Sequence, residues 1–201
     1  MSVAGIGIFI TAPLMVLIAV AIKATSKGPV FYVQDRVGVD RRNRARHETN
    51  GRRLDDKGGR IFRIYKFRTM TVGSDHQGQV WARPDDQRVT SVGKFLRSSR
   101  LDELPQLLNV LLGDMNIVGP RPEQPEIFRS LRDQIDRYPE RQKVLPGITG
   151  LAQVNQSYDR TIEDVKSKVD YDLEYIRRKG PVHDVLIMLK TLPVVLKRLG
   201  W

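Results

Sequence analysis

The sequence predicts an α+β fold that is mainly helical, starts with a membrane helix and contains one small β-hairpin. Three observations predict it. Residues 3–22 carry no charged side chain, two short stretches have the β-branched and aromatic content of strands, and the chain beyond residue 90 shows apolar residues at helical spacing. With 201 residues, the chain is long enough for one compact domain with a buried core.

The N-terminal stretch VAGIGIFITAPLMVLIAVAI is long enough to cross a membrane, because about 20 helical residues span the roughly 30 Å hydrocarbon core. Lys23 and Lys27 follow directly and place that flank in the cytoplasm. Pro13 at the midpoint removes one backbone hydrogen bond and predicts a kink. A spanning helix and a helix that dips into the membrane and returns both fit these residues. A signal peptide fits poorly, since MSVAG contains no basic residue.

Two stretches predict the strands of the β-hairpin: VFYVQDRVG, which follows Gly28-Pro29, and IFRIYKFRTM, which starts at residue 61. The polar and basic insertion between them, residues 40–60, contains the turn signals Asn50-Gly51 and Gly58-Gly59. The insertion fits a solvated extension of the hairpin or a disordered loop over an anionic membrane surface.

Residues 90–113 predict a helix, a break and a second helix that ends at Gly113. The second helix has four leucines at the spacing of a buried face: Leu107, Leu108, Leu111 and Leu112. Another helix is expected over residues 126–137, followed by a tight turn at PGITG, residues 146–150.

Thr161 and Asp164 have the spacing of a capping box and predict the start of a long helix. This helix should end at Gly180-Pro181, and its apolar face consists of Val165, Val169, Leu173 and Ile176. The final segment, VLIMLKTLPVVLKRLGW, mixes apolar and basic residues around Pro193. It fits an amphipathic helix at a membrane interface or a buried core helix.

The net charge of +11 and the pI of about 10.1 indicate an anionic partner such as nucleic acid, phosphate groups or an acidic membrane surface. Because the chain has no cysteine, disulfides, thiolate metal sites and cysteine nucleophiles are excluded. The three histidines lack metal-ligand spacing, so a structural zinc site is not expected. Neither a phosphate-loop motif nor a nucleic-acid-binding motif is present.

The stretch LDELPQ places Asp102 and Glu103 just ahead of Pro105. Proline is tolerated in the first turn of a helix and disfavours helical geometry in the residue before it, so the acids should lie at or just before the start of the leucine-bearing helix. Their side chains would point about 100° apart, which lets them take different roles. Simple capping of the helix by the two acids also fits this position.

Basic residues in several short motifs favour a diphosphate site with a divalent ion. Guanidinium groups bind phosphate oxygens by two hydrogen bonds, and Mg²⁺ typically takes one or two carboxylates plus substrate phosphates. The candidate metal ligands are Asp102 and Glu103. The candidate phosphate ligands are Lys66, Arg68, Arg97, Arg100, Arg121 and Arg141.

Three segments, IYKFRTM, VGKFLRSSRLDELPQLLNVLLGDMNIVGPRPE and PGITGLAQVN, occur in this order and closely resemble the bacterial sugar transferase family. The resemblance covers nearly the whole chain. It implies a monotopic polyprenyl-phosphate phosphoglycosyl transferase at the cytoplasmic face of the bacterial inner membrane. Such an enzyme transfers a phosphosugar from a nucleotide sugar, usually a UDP-sugar, to polyprenyl (undecaprenyl) phosphate, the initiating step of polysaccharide or glycoconjugate synthesis.

The resemblance also implies roles for individual residues. Asp102 would be the nucleophile that forms an aspartyl-phosphosugar intermediate, and Glu103 would help to hold Mg²⁺. Phosphate charge would be neutralised by Lys66, Arg97, Arg121 and Arg141. Asp172 matches a recurrent family position, although a helix-surface acid fits it equally. For the N-terminal helix the resemblance favours the re-entrant form with its break at Pro13, where the preceding Ala12 replaces the serine of relatives.

The expected organisation is a re-entrant membrane helix over residues 1–24 and a catalytic domain over residues 25–201 with an interfacial C-terminal helix. The expected partners are a UDP-sugar, polyprenyl phosphate and membrane lipid, without nucleic acid. The alternative from another class is a membrane-anchored basic module that binds anionic lipid or nucleic acid. Its affinity would fall steeply with salt and would not depend on Asp102.

Overall fold

A computed structural model describes residues 2–40, 58–73, 86–156 and 161–196. Within these ranges the chain forms seven α-helices and two small sheets, which confirms a mainly helical fold with an apolar N-terminal helix. In chain order the elements are α1 (Ser2–Thr25), β1 (Phe31–Val37), β2 (Ile61–Phe67), α2 (Ser91–Ser98), a 3₁₀ turn (Leu101–Glu103), α3 (Gln106–Leu111), β3 (Asn116–Val118), α4 (Pro125–Gln134), a 3₁₀ helix (Tyr138–Lys143), β4 (Gly147–Thr149), α5 (Leu151–Asn155), α6 (Ile162–Arg178) and α7 (Pro181–Leu196).

The described residues group into two compact units. Unit 1 takes those of Met1–Val33, Tyr65–Gly113 and Leu189–Trp201, and unit 2 takes those of Gln34–Ile64 and Asp114–Met188. The chain therefore passes between the units within β1, within β2, between Gly113 and Asp114, and within α7. In this division α1 belongs to the same unit as LDELPQ, whereas the sequence-based division at residue 24 stays a prediction.

In unit 1, α1 is continuous over 24 residues with Pro13 inside it. Its segment Ala4–Thr25 is long and apolar enough to cross a membrane. The exposed apolar side chains of α1 are Ile6, Phe9, Ile10, Leu14, Val16, Leu17 and Val20. On its buried side, Ile18 and Ile22 pack against Phe67 of β2 and Leu96 of α2. Re-entrant geometry at Pro13 stays a prediction.

The two predicted strands are confirmed. Arg68 donates its backbone N–H to Val30 (2.8 Å) and Gly38 donates to Arg60 (2.8 Å), a descending register that makes β1 and β2 antiparallel. Residues 41–57 of the insertion between the strands lie outside the described residues. The two interpretations of the insertion, a solvated extension of the hairpin and a disordered loop, therefore stay predictions.

The predicted helix, break and helix over residues 90–113 are confirmed, but the predicted buried face of α3 is wrong. Leu108 and Leu112 are 37% and 66% exposed, and the buried residues are Gln106, Asn109 and Val110. Asn109 faces inward because its Oδ1 accepts the backbone N–H of Tyr65 in β2 (3.1 Å). A polar side chain with such a partner can occupy a core position that the leucine pattern alone assigns to an apolar one.

In unit 2, the predicted turn PGITG contains strand β4, which pairs in parallel with β3 at Asn116 to Gly147 and Val118 to Thr149. The close approach requires glycine, since a Cβ on Gly147 would lie 2.1 Å from the backbone nitrogen of Gly119. The preceding helix, predicted over residues 126–137, is α4 and ends at Gln134.

The capping box that starts α6 is confirmed: Asp164 and Thr161 each accept the other's backbone N–H through their side chains. The apolar face of α6 packs into the core of unit 2 with Val37, Phe128, Leu131, Ile135 and Tyr138. The last segment is helix α7, which continues through Pro193. It buries Ile187 and exposes Val182, Val185, Leu186, Leu189 and Leu192; an interfacial position for it stays a prediction.

Candidate active site

The candidate site is built where the end of β2 meets the start of α2, all within unit 1. The N-cap residue Thr90 accepts the N–H of Gly93 through its side chain and donates its own N–H to the carbonyl of Thr69 (2.9 Å). A Cβ on Gly93 would lie 2.0 Å from that same carbonyl oxygen. The first turn of α2 therefore lies directly on the chain just beyond β2, and Lys66, Thr69 and Arg97 are brought to one region.

Asp102 and Glu103 lie in the 3₁₀ turn between α2 and α3, as predicted for residues just before the second helix. The expected extended geometry before proline is absent: Leu104 is helical (φ −52°, ψ −39°) and bonds back to Leu101. Arg100, which precedes the turn, has φ of 58°, a left-handed conformation that costs a non-glycine residue about 1–2 kcal/mol. Such strain is concentrated at functional sites.

Glu103 is held by a lysine from the neighbouring strand. Its Oε1 accepts a hydrogen bond from Nζ of Lys66 at 2.7 Å, with both side chains largely buried, and Arg100 lies 3.8 Å away. A charge-assisted bond of this kind in a dry setting is stronger than an exposed ion pair. The contact fixes the position of one acid and one cation at the site.

Asp102 interacts electrostatically with another cation. It is 8% exposed, and its carboxylate acts electrostatically on Arg97 of α2. The Arg97 Nε donates to Oγ1 of Thr69 at 2.9 Å, which orients the guanidinium. Burial lowers the pKa of Arg97 from its ordinary value, and the carboxylates of Asp102 and Asp86 act in the opposite sense.

Arg68, a predicted phosphate ligand, is buried and donates to the backbone carbonyls of Ser26 and Lys27 and to the Ser26 hydroxyl. These contacts anchor the segment that follows α1. The phosphate role of Arg68 stays a prediction.

The two remaining predicted phosphate ligands, Arg121 and Arg141, belong to unit 2. Arg141 is 1% exposed and donates to Asp172 (2.6 Å), the hydroxyl of Tyr138 (2.8 Å) and the carbonyl of Arg121 (3.0 Å). Asp172 is thus a buried partner of Arg141, which corrects the interpretation of it as a helix-surface acid. A phosphate role for either arginine stays a prediction.

The loop that carries Arg121 is fixed from several sides. Arg36 donates to the carbonyl of Pro122 (3.1 Å), and Lys168 donates to the carboxylate of Glu123 (2.9 Å). Burial raises the pKa of Glu123, but Lys168, Arg141 and Arg36 outweigh it and hold this pKa at about 2. The backbone at Arg121 therefore has a defined position within unit 2.

The arrangement in unit 1 has the groups needed for phosphoryl chemistry: two largely buried carboxylates, with Lys66 bonded to Glu103 and Arg97 interacting electrostatically with Asp102. The structure described here contains no group of three or more His, Cys, Asp or Glu side chains that could hold a metal. The dyad nevertheless fits Mg²⁺, which needs only one or two carboxylates when substrate phosphates supply further oxygens.

Sequence reasoning missed Thr69, Gln106 and Asn109. A signal for two of them exists, because Asp102, Gln106 and Asn109 recur at i, i+4 and i+7, the spacing of one helix face. Asp102, Gln106 and Asn109 are all buried. The role of Thr69 has no local signal, because it depends on the contact with α2.

A family model described as "Bacterial sugar transferase" matches residues 1–198. The chain is 43% identical over 199 residues to a UDP-N-acetylgalactosamine-undecaprenyl-phosphate N-acetylgalactosaminephosphotransferase of Aeromonas hydrophila, covering 97% of this chain and 42% of that protein.

Two UDP-glucose:undecaprenyl-phosphate glucose-1-phosphate transferases are also similar, each matching 92% of this chain. That of Klebsiella pneumoniae is 42% identical with 36% of its length covered, and that of Caulobacter vibrioides is 38% identical with 63% covered. The chain thus spans roughly two fifths to three fifths of the length of these relatives. On the family match and these identities, the chain belongs to the bacterial sugar transferase family.

Proposed function

We propose that the chain transfers a sugar phosphate from a UDP-sugar to undecaprenyl phosphate by a two-step mechanism with Asp102 as nucleophile. The names of the similar proteins support the donor and the acceptor. The observation that supports the mechanism is a pair of largely buried acids next to basic residues: Glu103 is bonded to Lys66 at 2.7 Å, and Asp102 is 8% exposed and interacts electrostatically with Arg97.

In the first step a carboxylate oxygen of Asp102 attacks the phosphorus that bears the sugar. The bond from that phosphorus to the bridging oxygen breaks, and UMP leaves with the electron pair. The product is a sugar phosphate joined to Asp102 as a mixed anhydride. Arg97 offsets the charge that accumulates on the phosphoryl oxygens, and its bond to Thr69 keeps the guanidinium in place without reorganisation.

In the second step a phosphate oxygen of undecaprenyl phosphate attacks the same phosphorus. The bond to Asp102 breaks, the carboxylate is regenerated, and the product is an undecaprenyl diphosphosugar. Splitting one displacement into two lets a donor and an acceptor of different solubility use a single site in turn.

Mg²⁺, held by Glu103 and Asp102 together with substrate phosphates, would supply charge neutralisation at the diphosphate. Lys66 keeps Glu103 oriented through its 2.7 Å contact. Arg68, Arg121 and Arg141 are the further proposed phosphate ligands.

The acceptor's lipid tail requires a membrane, and α1 has the length and apolar character to enter one. Lys23 and Lys27 follow its apolar stretch and favour the cytoplasmic side. We place the reaction at the cytoplasmic face of the inner membrane, with α1 re-entrant at Pro13.

The test uses the detergent-solubilised chain with Mg²⁺ and a UDP-sugar, without acceptor. The wild type should release UMP in an amount equal to the enzyme, because the first step stops at the covalent intermediate. Asp102→Asn should abolish this release, whereas Asp170→Asn on the exposed surface of α6 should leave it unchanged. UMP release by Asp102→Asn at the wild-type rate would falsify the assignment.

A further inference from the structure

Gln106 is buried beside the dyad with an unused donor. The residue is 1% exposed, and its amide nitrogen Nε2 has no hydrogen-bond partner within the described parts of the chain. Buried polar groups are nearly always paired, and an unpaired N–H loses its hydration without compensation. A donor kept in this state at the first position of α3 points to a group that arrives with the substrate.

The backbone places Gln106 one helical turn beyond the two acids. From the 3₁₀ turn into α3 the hydrogen bonds continue, with Leu104 N–H bonded to Leu101 and Leu107 N–H to Leu104. Asp102 and Glu103 therefore precede Gln106 by four and three residues, one helical turn. Side chains on a helix lean toward its N-terminus, so the Gln106 side chain covers the turn that carries the acids.

A neutral donor suits this position. Lys66 is already bonded to Glu103, and Arg97 already interacts electrostatically with Asp102, so other side chains supply the positive charge of this region. An amide N–H instead stabilises charge on a phosphoryl oxygen without carrying a net charge of its own. Preorganised donors aimed at developing negative charge contribute strongly to catalysis in sites that exclude water.

We propose that Gln106 is a further catalytic residue, whose side-chain amide donates a hydrogen bond to a non-bridging oxygen of the phosphoryl group transferred to Asp102. This role rests on the proposed function of the dyad. It makes Gln106 a substrate contact in both steps, since the same phosphoryl group is transferred twice.

The experiment measures single-turnover UMP release from UDP-glucose and UDP-N-acetylgalactosamine, together with thermal unfolding. Gln106→Leu should slow release on the order of 100-fold, the usual effect of removing one such donor. Its melting temperature should equal or exceed that of the wild type, because the variant removes an unpaired buried polar group. Gln106→Glu keeps the size of the side chain but replaces the amide NH₂ donor by a second acceptor oxygen, and it should be at least as slow.

Asn109→Leu is the matched control, because Asn109 is a buried amide on the same helix whose oxygen is bonded to β2. This variant should melt at a lower temperature than the wild type. The role of Gln106 alone is overturned if Gln106→Leu releases UMP at the wild-type rate. It is also overturned if this variant melts at as low a temperature as Asn109→Leu. A wild-type chain that releases no UMP from either donor overturns the proposed function and this role with it.

Discussion

Asp102 and Glu103 are neighbours in the chain, and basic residues from other elements interact with both. Side chains of consecutive residues in a 3₁₀ turn point about 120° apart, so they cannot share one partner easily. Lys66 is bonded to Glu103, and Arg97 lies in the field of Asp102. In the proposed mechanism, Asp102 carries out the covalent chemistry and Glu103 has an orienting role.

Arg97→Lys tests whether the geometry of the guanidinium matters beyond its charge. Lysine keeps the charge but cannot donate from the Nε position to Thr69 and lacks the planar fork. We expect kcat/KM for UMP formation to fall about 10- to 100-fold, with the melting temperature changed by only a few degrees, because one charge-assisted bond is lost.

Arg132→Lys serves as the control, since Arg132 lies on α4 beside the exposed Asp133. It should leave both quantities unchanged. Wild-type activity in Arg97→Lys would show that a point charge suffices beside Asp102.

At the scale of elements, the site depends on how closely α2 approaches the chain beyond β2. The cap at Thr90 joins the two through Thr69, and Thr69 in turn holds Arg97. Helix α3 is joined to β2 by Asn109. The elements that carry the cations and the acids are therefore positioned by a few polar contacts in addition to the apolar core around Phe67 and Leu96.

Gly93→Ala tests this close approach. The added Cβ would lie 2.0 Å from the carbonyl oxygen of Thr69, so α2 or the chain beyond β2 must move. We expect a loss of about 3 kcal/mol in the free energy of unfolding, at the upper end of the usual cost of overpacking, and a clear loss of UMP release. Chemical denaturation followed by circular dichroism measures the first quantity.

Gly5→Ala is the matched control, because its added Cβ would meet only Leu111 at 3.9 Å. This variant should be as stable as the wild type. Equal stability of Gly93→Ala and Gly5→Ala would contradict the tight contact.

At the scale of the whole molecule, the basic chain holds part of its charge in a buried network within unit 2. Arg141 contacts Asp172 at 2.6 Å and lies 4.0 Å from Glu123, which also binds Lys168. Removing one member of a buried pair leaves an uncompensated charge, which is far more costly than losing a surface ion pair. The network therefore makes the stability of unit 2 sensitive to pH.

The lowered pKa of Glu123 predicts that part of the free energy of unfolding is lost in acid. Its folded pKa is about 2, below the ordinary value of 4.5, so its contribution is complete above pH 4.5 and is lost as the pH falls toward 2. The shift corresponds to about 3 kcal/mol at neutral pH. The free energy of unfolding from urea titrations at pH 7, 4 and 3 should decrease accordingly.

Lys168→Met separates the contribution of Glu123 to the pH dependence of stability from the contributions of other acids with lowered pKa values, such as Asp86 and Glu140. The variant should be less stable at pH 7 and should lose less stability on acidification. Lys166→Met, at an exposed position of the same helix, should follow the wild-type curve. Identical pH dependence in all three proteins would exclude the role of Lys168.

Local patterns predicted the helices well where apolar spacing and capping chemistry agree, as in α6 with its Thr161 and Asp164 box. They failed at α3, where the leucine pattern placed Leu108 and Leu112 inside. The core there is partly polar, because Asn109 finds a backbone partner in β2. They also missed β4, since a three-residue strand depends on pairing with β3 and not on its own propensity.

The sequence by itself determined which groups are available for the proposed chemistry: an Asp-Glu pair before a proline, basic residues in separate motifs, and an apolar N-terminal helix. Only the tertiary structure decided that Lys66 binds Glu103, that Arg68 and Arg141 are held by other contacts, and that Gln106 is buried with an unpaired donor. The physical reason is distance along the chain. Lys66 and Glu103 are 37 residues apart, and no local spacing encodes a contact that packing alone creates.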